Sequence, residues 1–152
     1  MRKRGAQFNR TRGHILTPTQ IEKLMMPVHV AISLLPIGAF TIDHAHDLAA
    51  FTNIMQYAAE DAGRQDLLER GLKMAETLYA IKGRADSGGE WAVTDDERSV
   101  LMENAVVLDR WMRTLTSTRI LRAVYRVDID IAAAMAKGAG NMDAIRIAGR
   151  QP

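Results

Sequence analysis

The chain has no cysteine among its 152 residues. That absence removes disulfides, thiolate zinc sites, iron–sulfur ligation and cysteine nucleophiles together, and it fits a reducing cytoplasm. The glycine-rich phosphate cradles G-x-x-x-x-G-K-[ST] and G-x-G-x-x-G are missing, as are the zinc helix H-E-x-x-H and the nucleophile elbow G-x-S-x-G. Internal repeats are absent too. Strand-like alternation is confined to residues 127–131, inside a helical context. Residues 24–42 carry no formal charge and approach the length of a membrane span behind a basic flank. Pro27, His29, Ser33, Pro36 and Gly38 break that stretch, and no A-x-A cleavage pattern follows it. A buried helix is expected there, so neither a membrane anchor nor a signal segment is read.

A chain of 16.9 kDa, 47% hydrophobic and 25% charged, has the make-up of one globular domain. At that size folding can bury about 68–70% of the unfolded surface. The net charge is only +2, from 20 basic and 18 acidic residues, but its placement is uneven. Residues 1–14 hold Arg2, Lys3, Arg4, Arg10 and Arg12 with no acid, and residues 110–126 hold Arg110, Arg113, Arg119, Arg122 and Arg126 with no acid. Each segment is therefore +5, which leaves −8 on the rest. Two basic segments on an acidic body point to an anionic partner or to a self-complementary surface.

The remaining pattern is helical, and the expected fold is an all-α single bundle of four to five helices. It comprises a flexible basic arm (1–15), a bundle domain (16–137) and a short tail (138–152). The first helix starts with a capping box, Thr17 to Gln20, with Pro18 at the first helical position and a staple between Leu16 and Ile21. Ile21, Leu24, Met25, Val28 and Ile32 give its stripe, Pro27 is expected to kink or split it, and Pro36 and Gly38 end it. A second helix is read over 42–62 behind Thr41, with Ala45, Leu48, Thr52, Met55 and Ala59 inward and Gly63 as the stop. A third is read over 65–82, with Leu68, Leu72, Ala75 and Leu78 inward, ended by Gly83 and antiparallel to the second. Residues 83–93 read as a loop. Thr94 and Glu97 form a second capping box, reinforced by Asp95 and Asp96. Leu101, Ala105, Leu108, Met112 and Leu115 bury the fourth helix. The hydroxyl-rich 114–118 stretch weakens helix propensity and predicts a kink or break. A fifth helix is read over 119–136 through Leu121, Val124, Tyr125 and Ile131, stopping at Gly138.

Candidate chemistry is sparse. Residues 43–47 read Asp-His-Ala-His-Asp, but on a helix His44 and His46 point about 200° apart and cannot share a metal. A capped, solvated first turn explains them. His46-Asp47 resembles the metal-binding dipeptide of the HD phosphohydrolases, which are all-helical. That resemblance implies a further His, here His29, and a distant Asp, here Asp109 or Asp128. Ala59 and Gly63 start a helix-turn-helix pattern, which Glu69 then breaks with a charge at a core position. Trp91, in the glycine-rich loop, is either pinned to the core or an interface anchor. Most of the nine methionines read as core filler.

Arg119, Arg122 and Arg126 fall at i, i+3 and i+7 on one helix face, and such a row can track a phosphate backbone. The leading expectation is a non-enzymatic, cytoplasmic helical binding protein. It would contact nucleic acid or a nucleoprotein complex through Arg2, Lys3, Arg4, Arg10, Arg12 and the Arg110, Arg113, Arg119, Arg122, Arg126 face. The alternative is a protein-binding adaptor or inhibitor, of the phage or mobile-element accessory type, using Trp91 and forming homo-oligomers. A metal-dependent phosphohydrolase is the third reading. No cofactor, metal or membrane partner is expected.

Overall fold

The computed structural model describes residues 14–138. Five helices follow in chain order: α1 (Pro18–Leu34), α2 (Ile42–Ala62), α3 (Gln65–Gly88), α4 (Asp95–Met112) and α5 (Ser117–Ala136). A 3₁₀ turn, Leu35–Ile37, joins the first two. The fold is all-α, and among the described residues the only β pairing is one isolated bridge.

Four of the five helix starts are fixed by side chains, α3 being the exception. Before α1, Thr17 N–H donates to Gln20 Oε1 at 2.9 Å and Gln20 N–H to Thr17 Oγ1 at 3.3 Å. Before α4, Thr94 N–H donates to Glu97 Oε2 at 2.9 Å and Glu97 N–H to Thr94 Oγ1 at 3.2 Å. At α2 a histidine takes the carboxylate's place: Thr41 N–H donates to His44 Nδ1 at 3.0 Å. His44 is thus a cap residue, which accounts for it without a metal.

α2 is the central helix. It packs against α1, α3 and α5, so the expected inward residues Ala45, Leu48, Thr52, Met55 and Ala59 are buried together with Ala49, Phe51, Gln56 and Ala58. α3 lies between α2 and α4, and α5 returns to pack mainly on α2. Gly71 lets α3 approach α2 closely, since a Cβ there would stand 2.7 Å from Gln56 Cγ. Between α3 and α4, buried Asn104 donates to Val100 O at 2.7 Å and accepts from Arg70 Nη1 at 3.2 Å. Such pairing is what makes a core amide affordable.

Three expectations need correction. Pro27 does not split α1, which is continuous through it. It sits on the exposed side, where the carbonyl its ring leaves unbonded can be hydrated. Leu24, expected inward, is over a third exposed, because the contact with α2 is narrower than the apolar stripe. α3 does not stop at Gly83 but runs to Gly88 and is capped by Gly89 at φ +80°. Burial of Ala85 and the anchoring of Arg84 outweigh the roughly 1 kcal/mol that an interior glycine costs. At the N-terminal side, Ile15 pairs with Thr116 while staying largely exposed. The expected break near 114–118 is present: α4 ends at Met112, and Thr116 caps α5 by accepting from Arg119 N–H at 3.4 Å.

The 89–94 connection is closed by one carboxylate. Arg84 Nη1 and Nη2 each reach Glu97 at 2.6 Å, and Nη2 also donates to Ala92 O at 3.0 Å. Burial pushes the Glu97 carboxyl up, but Arg84 and the Thr94 N–H outweigh it and hold the group below its ordinary range. A depressed carboxyl contributes stability above its unfolded pKa, and that contribution is lost as pH falls through the folded value. Glu97→Ala is therefore expected to cost about 1–3 kcal/mol at neutral pH, through the lost cap and charge-assisted bonds. The cost should shrink below about pH 4, as read by denaturant unfolding at both pH values.

Candidate nucleic-acid interface

The basic residues of the arm, Arg2, Lys3, Arg4, Arg10 and Arg12, lie outside the described residues. What the structure fixes is where that arm is attached. Ile15 forms an antiparallel bridge with Thr116, and Ser117 N–H donates to His14 O at 2.6 Å. The segment that follows the arm is thereby held against the turn between α4 and α5. Arg110 lies in the last turn of α4, and Arg119 in the first turn of α5. Residues 14–15, which follow the first basic stretch, thus lie against the turn that interrupts the second, about a hundred residues further along the chain.

Within 110–126 the five arginines divide into two groups. Arg113 is 3.2 Å from Asp109 and 3.5 Å from Glu22. The Asp109 carboxylate raises the Arg113 pKa above its ordinary value, with Glu22 adding to it. Arg122 pairs with Asp61 at 3.3 Å, and Arg126 approaches Glu60 at 3.8 Å and Asp61 at 3.9 Å. The Arg126 guanidinium also sits 4.0 Å over the Tyr57 ring, while the Tyr57 hydroxyl donates to Asp130 on α5. Arg122 and Arg126 thus face acids of α2 and join α5 to it. Arg110 is exposed and Arg119 half-buried, and neither has an ion-pair partner among the described residues.

The single row of phosphate contacts read from Arg119, Arg122 and Arg126 is therefore not uniform. Its latter two members are compensated, and the uncompensated charge lies at the α4–α5 corner. No acid occupies the first turn of α5, so the positive end of that helix's dipole adds to Arg119.

Of the other candidate groups, His29 comes near this corner through Asp109, the neighbour of Arg110 in sequence, and the rest lie elsewhere. Trp91 is half-buried and packed against the core, and it lines an open cavity of about 470 Å³ with Leu35, Phe40, Val93 and Arg98. His29 Nε2 stands 3.7 Å from Asp109, whereas His46 and Asp47 line a different cleft with Asn53 and Ile131. No group of three or more His, Asp or Glu side chains that could hold a metal ion is assembled among the described residues. Glu69, which broke the helix-turn-helix pattern, is exposed on α3. No described helix is long and apolar enough to cross a membrane.

No protein family, curated protein or solved structure matches this chain.

Two features escaped the sequence reading. The ion pairs of Arg122 and Arg126 involve residues some sixty positions away, with no local signal. Leu121 and Tyr125, expected in the core, are exposed. α5 carries apolar residues on two sides, and α2 takes the side formed by Ile120, Ala123 and Val127.

Proposed function

We propose that this is a non-enzymatic helical binding protein that contacts nucleic acid, or a nucleoprotein complex, at the corner between α4 and α5. The observation that carries this reading is the pairing of residues 14–15 with 116–117, which ties the chain directly after five basic residues to the turn between Arg110 and Arg119. Phosphates would be neutralised by unpaired guanidinium groups and by the arm. The contacts would then be dominated by charge and largely independent of base sequence.

The test is binding to labelled single- and double-stranded DNA and RNA across a salt series. A log–log slope of several units is expected. Removal of residues 1–13 should lower that slope by up to about 4–5 units, close to one for each of its five basic side chains. An unchanged slope would detach the arm from the function, and no binding at low salt would remove the reading altogether.

A protein-binding adaptor without nucleic-acid contact is the second reading, favoured by Trp91 in its open cavity. Under it, Trp91→Ala weakens the protein partner, while the charge variants leave that partner's affinity unchanged.

A further inference from the structure

α5 has a second apolar side. Its inward residues Ile120, Ala123 and Val127 are buried, yet Leu121, Tyr125 and Ile129 are 65, 67 and 50% exposed. These three follow at i, i+4 and i+8, one continuous ridge on the helix surface. Thr118 and Ala132, both exposed and small, continue it at either end and would let another backbone come close. An outer helix ordinarily shows charge on that side. We propose that this ridge is a two-fold contact between two copies of the chain, with their α5 helices side by side and parallel.

Charges at the ridge's edges select a second copy of the chain as its occupant. Arg122 stands three residues before Tyr125 and Asp128 three after. At 3.6 residues per turn that places them about 60° to either side of the ridge. Both are exposed; Arg122 reaches Asp61 of its own chain through one nitrogen and leaves its other donors to solvent, and Asp128 has no ion-pair partner among the described residues. A two-fold axis running along two parallel helices turns each edge toward the opposite edge of the second copy, so the Arg122 side meets the Asp128 side twice. An antiparallel two-fold would instead bring like edges together and set Arg122 and Arg126 against their own counterparts. One ridge with one charge of each sign on its flanks is thus complementary to itself in the parallel sense. A net charge of only +2 adds little repulsion between copies. Both α5 N-termini, and with them both basic corners, would then lie at the same end of the dimer. The contact does not depend on nucleic-acid binding and is tested separately from it.

The absence of cysteine makes a direct test simple, because one introduced thiol is the only thiol. In the parallel arrangement every ridge position faces its own equivalent. Thr118→Cys and Ala132→Cys should therefore each give a disulfide-linked dimer on mild oxidation, while Glu103→Cys, exposed on α4, should not. Sedimentation of the unaltered chain should give twice 16.9 kDa at micromolar concentration, and Tyr125→Glu should give 16.9 kDa with an unchanged helical circular-dichroism spectrum and a lower thermal midpoint, since the dimer no longer supports the fold. A monomeric unaltered chain overturns the proposal, as does a Tyr125→Glu variant that still dimerises. Cross-linking only in a mixture of the two thiol variants, and in neither alone, overturns the parallel arrangement.

Discussion

Arg110→Glu combined with Arg119→Glu is expected to lower the salt slope of nucleic-acid binding by at least about two units, one for each cation removed. Reversal should go further than removal, because each new carboxylate repels the phosphates it faces. The melting temperature should hold, since neither guanidinium has an ion-pair partner among the described residues. Arg126→Glu is expected to behave in the opposite way. It breaks the contacts with Glu60, Asp61 and the Tyr57 ring and sets like charges face to face on α2 and α5. That variant should lose about 1–2 kcal/mol of stability and leave the slope nearly unchanged. Salt-series binding and thermal melts on the two variants separate these outcomes. If both lose binding equally, the division of the arginine segment into two groups fails.

The largest stability effect is expected inside the bundle. Leu78 is fully buried on α3, the helix that packs on both α2 and α4. Leu78→Ala removes its transfer energy and leaves a cavity, for a cost of about 2–5 kcal/mol. Total stability for a domain is only about 5–15 kcal/mol, so the melting temperature should fall on the order of 10 °C. Leu121→Ala, an equal change of side chain at an exposed position, should move the stability of the single chain by less than about 0.5 kcal/mol. Comparable losses from the two would mean that α5 buries its other side.

What the sequence discloses and what it hides follows the range of the interactions. Caps are local, so Thr17 with Gln20 and Thr94 with Glu97 mark two helix starts to the residue. The break before α5 was also legible, because Thr116 is a cap and the hydroxyl residues around it are poor helix formers. Glycine as a stop signal worked at Gly63 and failed at Gly83, where the decisive partner of Arg84 lies thirteen residues further on, in Glu97. The basic segment 110–126 was visible as a charge count. Of its compensation only the pair of Asp109 with Arg113, four residues apart on one helix, has a local signal, since Glu22, Glu60 and Asp61 approach it through packing. The choice between the two apolar sides of α5 was equally out of reach, because the shape of α2 makes it. The meeting of the arm with the α4–α5 turn rests on a single bridge between residues 15 and 116, which no local pattern announces.

The most direct measurement of the central claim is the movement of backbone amide NMR signals as a short oligonucleotide is titrated into the protein at low salt. The shifts should cluster at residues 1–17 and at 110–119, with residues 60–61 and 122–126 changing little. Shifts centred on the outer ridge of α5, shifts spread without a centre, or none at all would contradict it.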